Sequence, residues 1–431
     1  MATGCRRPNA TNEEDESSRE RRMSAEKNEK QFIIPSDEKV QGHELENDVI
    51  EKILARLPVA HFFRFRSVCR GWNLLVWSSG FLECCREVPR KPWFYMLGAK
   101  SAAGVVYDTE TLVWRHINLP VPTGISGTGT TGHQIPVAAS NGLMCFRSSN
   151  SQLTTCNLLT GLTRSLPALN KVVHVLAIAM CVVGTSYNVI IACGKAPLFG
   201  IKVFSSTDNS WKEIPITGAY EFATNKTAEE NESGAERLLL KRGVLQRNEF
   251  LQGGGIIHRN PAKVLSGITA VNHHGHRVIY FLNLNGRMVA FNIHEGTMCM
   301  CPRILPSEME YSIDLVECGG RVLLVVLVEM MESASLRVWE FDWGEGEWKQ
   351  LMAMPPAMSN VYYGKMVDIN CVGYEDLIMM CISSRRFHQV VMCNISEGTW
   401  TELPKCFEPG TRTPKKFVSA YCFEPRIEAR V

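Results

Sequence analysis

The sequence predicts a mainly β protein: a small N-terminal α-helical unit followed by a six-bladed β-propeller, with seven blades as the alternative count. Three observations carry this reading. Residues 45–57 show a helical apolar stripe, strand-like apolar runs replace such stripes beyond about residue 90, and one module then recurs through the chain. Its instances close on Pro120, Pro167, Pro215, Pro306, Pro355 and Pro404, separated by 47, 48, 91, 49 and 49 residues. That period fits four short strands and their turns, the content of one propeller blade.

Taken in order, residues 1–43 are polar and of mixed charge, too poor in apolar surface to offset ordering entropy, and are expected to be a disordered tail. Gln31–Pro35 is the one apolar patch there. The helical domain is placed at 44–84. Leu45, Val49, Ile50, Ile53, Leu54 and Leu57 recur at offsets of three, four and five residues, so they share one helix face. Asn47 and Asp48 suit a helix start, and Pro58 ends the segment. Second and third helices are expected at Val59–Phe65 and Ser67–Trp77. Phe62, Phe63, Phe65, Trp72, Leu74, Leu75, Val76 and Trp77 are more apolar surface than so small a unit hides, so the following domain or a partner must cover the remainder. Burying all eight on a partner would yield a gross gain on the order of 12–24 kcal/mol.

The propeller is placed at 93–425. Each module is a hairpin with a tight turn (DTET, STDNS, ISEGT), and most are preceded by a second hairpin of continuous apolar runs, as inner strands covered on both faces require. Trp114, Trp211, Trp348 and Trp400 recur at one place in the module, where a large ring can fill the space between blades. The 91-residue spacing is read as one blade plus a polar insert at about 217–260. Lys415–Pro425 can supply the strand that the first blade lacks, closing the ring and removing an open edge.

Composition bounds the function. The 431 residues are 45% hydrophobic and 21% charged with a net charge of +2, so no strong field favours nucleic acid or an anionic membrane. The N-terminus lacks the apolar core of a signal peptide, and no apolar run is long enough to span a bilayer. Sixteen scattered cysteines, none in a CxxC, read as reduced buried thiols, pointing to the nucleus and/or cytoplasm.

No catalytic, cofactor or metal site is expected. Gly127–Gly132 matches GxGxxG literally but lacks the strand before and helix after it that a dinucleotide site needs. His273, His274 and His276 fall at a predicted hairpin turn, Cys299 and Cys301 suit packing, and Cys84 and Cys85 suit a helix end. Asn225, Asn231 and Asn394 match the glycosylation sequon, without consequence in a reducing compartment.

The order LP, FF, VC and W in LENDVIEKILARLPVAHFFRFRSVCRGWNLL resembles an F-box. Leu45 is followed by Glu46, where the family usually has proline, which should weaken the helix start slightly. The region from about Trp93 onward resembles the kelch-like propeller of plant F-box proteins, the group that includes the leaf-curling and floral-organ proteins. Gly319-Gly320 carries the kelch double glycine, and LRVWEF followed by WKQLMAMP the group pattern. The resemblance implies a non-catalytic adaptor. Its F-box would dock on the Skp adaptor of an SCF cullin-RING ubiquitin ligase through Leu45, Ile50, Leu57, Pro58, Val68, Cys69 and Trp72, and its propeller would hold a target protein. The alternatives are a propeller enzyme of oxidase or glycosidase type and a non-degradative scaffold.

Overall fold

The computed structural model describes residues 46–98, 104–117, 134–148, 151–169, 175–195, 198–221, 267–271, 275–282, 287–305 and 311–431. Four helices open this span: α1 (Asn47–Ala55), α2 (Val59–Phe65), α3 (Arg70–Leu74) with a 3-10 turn at Leu75–Trp77, and α4 (Ser79–Glu87). The expected second helix matches α2. The expected third does not run unbroken. Cys69 Sγ accepts the Trp72 N–H at 3.4 Å and starts α3 later, and the 3-10 turn ends it at Trp77. Ser78 then caps α4, accepting from Phe81 N at 3.4 Å while its hydroxyl donates to Glu51 of α1 at 2.7 Å.

Among the described residues, twenty-five strands build six sheets. β1 (Trp93–Gly98), β2 (Gly104–Asp108) and β3 (Val113–Ile117) are completed by β25 (Phe417–Phe423), which pairs antiparallel with β1, Trp93 opposite Phe423. The C-terminal strand thus closes the first blade, and the blade count is six. The other innermost strands are β4 (Ile135–Ser140), β8 (Val175–Val183), β13 (Ile268–Val271), β17 (Tyr311–Cys318) and β21 (Asp368–Tyr374), which with β25 touch neighbour to neighbour in a closed ring. The fourth sheet has a fifth strand: β12 (Gly218–Glu221) lies parallel to β16 (Thr297–Met300) at its outer edge. The expected insert therefore begins as sheet. The rest of it, the N-terminal tail, the GxGxxG match, His273, His274, Asn225, Asn231, Pro120 and Pro306 lie outside the described residues.

The core is layered between blades. One apolar layer joins each adjacent pair of sheets, such as Val325, Leu336 and Val338 of the fifth against Ile378, Met380 and Val391 of the sixth. The recurrent tryptophans stitch these layers. The indoles of Trp114, Trp211 and Trp348 donate to the carbonyls of Pro404, Pro167 and Pro302 at 2.7, 2.8 and 2.9 Å, each on the preceding blade. In the fourth blade the acceptor is Pro302. Trp400 packs on the layer between blades five and six. Each third strand ends on a residue that caps the following turn. Asp108, Asn157, Asn292, Asp342 and Asn394 accept backbone N–H groups two or three residues on.

Twelve of the fifteen described cysteines are buried, and none is disulfide-bonded. Burial raises Cys145 to about 12 and Cys156 to about 11. Cys299 and Cys301 sit in the layer between blades four and five, and Cys84 and Cys85 in the helical core.

Candidate partner-binding surface

The α1 stripe divides in three dimensions. Leu54 and Ala55 turn inward with Phe62, Val76, Phe81 and Cys85 to form the helical core, against which Ile50, Leu57, Trp72 and Leu75 are half-buried. Burial pushes the Cys85 thiol up to about 12. Val49 and Ile53, from the same stripe, face outward and are exposed. The free carbonyls ending α1 find one partner: the Arg90 guanidinium donates to Ala55 O at 2.5 Å and Leu57 O at 2.8 Å.

The inner side of this unit is fixed to the propeller. Val59, Ala60 and Phe63 of α2 enter the layer between blades one and two, beside Trp93, Leu158 and Phe423. Ile427, just past β25, lies inside the helical core itself. Asn157 pins that last segment. Fully buried, its Nδ2 donates to the carbonyls of Arg426, Ile427 and Ala429 at 3.1, 3.3 and 2.8 Å, while Oδ1 caps its own turn. Arg426 pairs with Glu424 at 2.6 Å and Glu428 at 3.0 Å, and the carboxylates hold its pKa up against burial. The helical unit therefore sits on the propeller face that carries the third-to-fourth strand turns of blades one and two.

Its other side is open. Val68, Leu74 and Trp77 are 61%, 62% and 59% exposed, and Phe65 projects beside them, its ring 6.0 Å from that of Trp72. Of the residues expected to meet an adaptor, Val68 and Cys69 are exposed on this side. Ile50, Leu57, Pro58 and Trp72 are half-buried, and Leu45 lies outside the described residues. Of the eight side chains counted as surplus, Phe62 and Val76 are sealed within the chain and Phe63 is taken by the propeller, so the free area is smaller than the sequence suggested. Val49 and Ile53 join Phe65, Leu74 and Trp77, three of those eight, on the open surface. The stripe hinted at the first two, but its breadth hid which half faces out.

The central channel holds a cavity of about 280 Å³ lined by inner-strand residues, Glu317, Tyr374 and Glu424 among them. Its carboxylates have structural bonds. Glu317 accepts from Gly320 N at 2.7 Å, and Glu424 from Arg426. Nearby on β17, Asp314 accepts from Cys371 N at 2.6 Å. Burial raises the Glu317 pKa. His276 of the HHGH stretch contacts Glu295 at 3.2 Å. Among the described residues no group of three or more His, Cys, Asp or Glu is placed to hold a metal ion.

Family models agree with this anatomy. The F-box domain matches residues 43–84 and the KIB1-4 β-propeller residues 114–358. F-box only protein 13 of Arabidopsis thaliana is 34% identical over 406 residues, 90% of this chain and 85% of the relative. F-box only protein 6 of the same plant is 27% identical over 90% of this chain and 74% of its own length. Protein UNUSUAL FLORAL ORGANS, also from Arabidopsis thaliana, is 20% identical over 83% and 77%. With an F-box locked by its inner side onto one face of a six-bladed ring, the chain belongs to the plant F-box proteins that carry a KIB1-4 β-propeller.

Proposed function

We propose that the chain is the substrate-recognition subunit of an SCF ubiquitin ligase, its F-box docked on a Skp-type adaptor and through it on a cullin, its propeller holding a target protein. F-box propeller proteins are in general receptors of this kind and act without catalytic groups of their own. The carrying observation is the two-sided helical unit, one side sealed by the propeller and the other left apolar at Val68, Leu74 and Trp77. Val49, Ile53, Phe65 and Cys69 complete that side, and Leu45, Ile50, Leu57, Pro58 and Trp72 are the further contacts that the F-box pattern assigns.

The six large apolar side chains of that side, Val49, Ile53, Phe65, Val68, Leu74 and Trp77, are already about half covered. At roughly 1.5–3 kcal/mol per fully buried side chain, finishing their burial contributes on the order of 5–9 kcal/mol before association costs. That is well below the sum over eight side chains, so the half-buried positions and polar contacts must supply the rest of a stable complex. The mechanism is proximity: a rigid body holds target lysines near the ubiquitin carrier at high effective concentration. Its buried thiols suit a reducing compartment, nucleus or cytoplasm.

The test is reconstitution of the full chain with adaptor, cullin and RING subunits, following ubiquitin transfer to co-purified target. Val68→Glu with Leu74→Glu places charge on exposed positions and should abolish transfer while leaving the propeller folded. Transfer that persists unchanged sinks the assignment, and retained adaptor binding with no target turnover in cells favours the scaffold reading instead.

A further inference from the structure

The propeller face opposite the F-box carries a feature that its fold does not require. β18 (Arg321–Met330) turns into β19 (Ser333–Asp342) through Met331 and Glu332, both in the left-handed region, with φ of 47° and 60°. Glycine or asparagine normally fills such a turn, because a longer side chain is strained there. Met331 is nevertheless 93% exposed. Beside it runs the link from blade five to blade six, tied down where Gly364 N donates to Glu329 at 2.9 Å. That link exposes Val361, Tyr363 and Met366, and Met366 also has a positive φ, 45°. Strain that persists under exposed apolar side chains is characteristic of functional surface rather than of packing.

A basic rim borders the patch. Lys365 lies 4.3 Å from the ring centre of Phe387, which also meets Tyr362 at 5.8 Å. Phe387 closes a hairpin whose tip, held by Ser384 N donating to Phe387 O at 2.7 Å, exposes Arg385 and Arg386. Lys416, entering β25, is close enough to lower the pKa of His388, after the larger effect of burial. Among the described residues none of these four cations forms an ion pair, whereas neighbouring Lys415 is paired with Glu408 at 3.3 Å.

We infer that this surface across blades five and six binds the target through an acidic peptide segment bearing large apolar side chains. Methionines and a tyrosine offer adaptable apolar contact, and four uncompensated cations at the rim select carboxylates. The inference rests on the receptor reading and adds the chemistry of what is received. Its position on the face away from the F-box leaves both partners room.

The test uses the full chain and fluorescein-labelled synthetic peptides read by anisotropy: one alternating Asp/Glu with Leu/Phe, one with Lys replacing the acids, and one with Ser replacing the apolar residues. The first should bind best, and more weakly as salt rises. Lys365→Glu, Arg385→Glu and Arg386→Glu together should weaken it about tenfold or more. Met331→Gly should weaken it roughly three- to tenfold while raising the melting temperature, since glycine relieves the turn. Equal binding of acidic and basic peptides, or unchanged binding by the charge-reversed variant, overturns the proposal. Adaptor binding measured on the unaltered chain separates the two readings: acidic-peptide binding without adaptor binding sinks the receptor assignment alone, and adaptor binding without acidic-peptide binding sinks this one alone.

Discussion

Asn157 should decide how firmly the F-box is held to its propeller. One buried amide serves two turn N–H groups, of Leu159 and Thr160, and three carbonyls of residues 426–429. Asn157→Ala strands these groups away from water. Each buried group left unmet costs about 1–3 kcal/mol, but the turn and the two available amide hydrogens limit the number truly lost, so about 2–4 kcal/mol is expected. Asn157→Asp keeps the turn acceptor but turns a second oxygen toward three carbonyls. The folded state then favours the protonated acid, whose carboxyl pKa rises above the unfolded value near 3.9. A raised folded pKa gives stability that is full below the unfolded pKa and lost as pH rises through the folded one. Urea unfolding of the Asp variant should therefore show stability falling from acid toward neutral pH, a trend absent from the Ala variant. Limited proteolysis should cut near Pro425 sooner in both. Wild-type stability in the Ala variant, or no pH dependence specific to the Asp variant, would refute the reasoning.

Three further outcomes follow from the propeller. Asp108 is almost wholly buried; burial raises its pKa, but bonds from Thr111 and Arg115 outweigh this and hold it below the ordinary carboxylate value. A depressed folded pKa means stability present above the unfolded value and lost as pH falls through the folded one, so Asp108→Asn should flatten the acid limb below about pH 4 in a stability profile. A Cβ on Gly373 would overlap the Glu317 carbonyl oxygen and Cys318 Sγ on the neighbouring blade, so Gly373→Ala should cost about 1–3 kcal/mol by denaturant titration. Trp211→Phe keeps an aromatic ring but loses the N–H bond to Pro167 and part of the ring packed between blades two and three, a loss of about 1–3 kcal/mol in the same assay.

Periodic features were legible because period alone defines them. The module spacing foretold six sheets, and Lys415–Pro425 could be recognised as the closing strand since the first blade was visibly one strand short. Tryptophan and proline were each visible in the module, but not their bond, because it joins residues such as Trp114 and Pro404 from opposite ends of the chain. The apolar stripe of α1 could not say that Ile50 and Leu54 point inward while Val49 and Ile53 point outward; only the seating of α2 on blades one and two settles that. Ile427 was invisible for a different reason. A segment this short and irregular has no period, and its place in the helical core depends on Asn157 far upstream. Leu57 illustrates the cost of reading a surface from a motif: it is half-buried against the helical core, so a charge there would test folding as much as binding.

The most direct measurement is hydrogen exchange of the full chain with and without a purified Skp-type adaptor. Protection should appear in α1 through the turn at Leu75–Trp77, where the apolar side is open, and leave the blade five and six loops unchanged. Exchange in those helices that is indifferent to the adaptor, or protection confined to the propeller, would contradict the account.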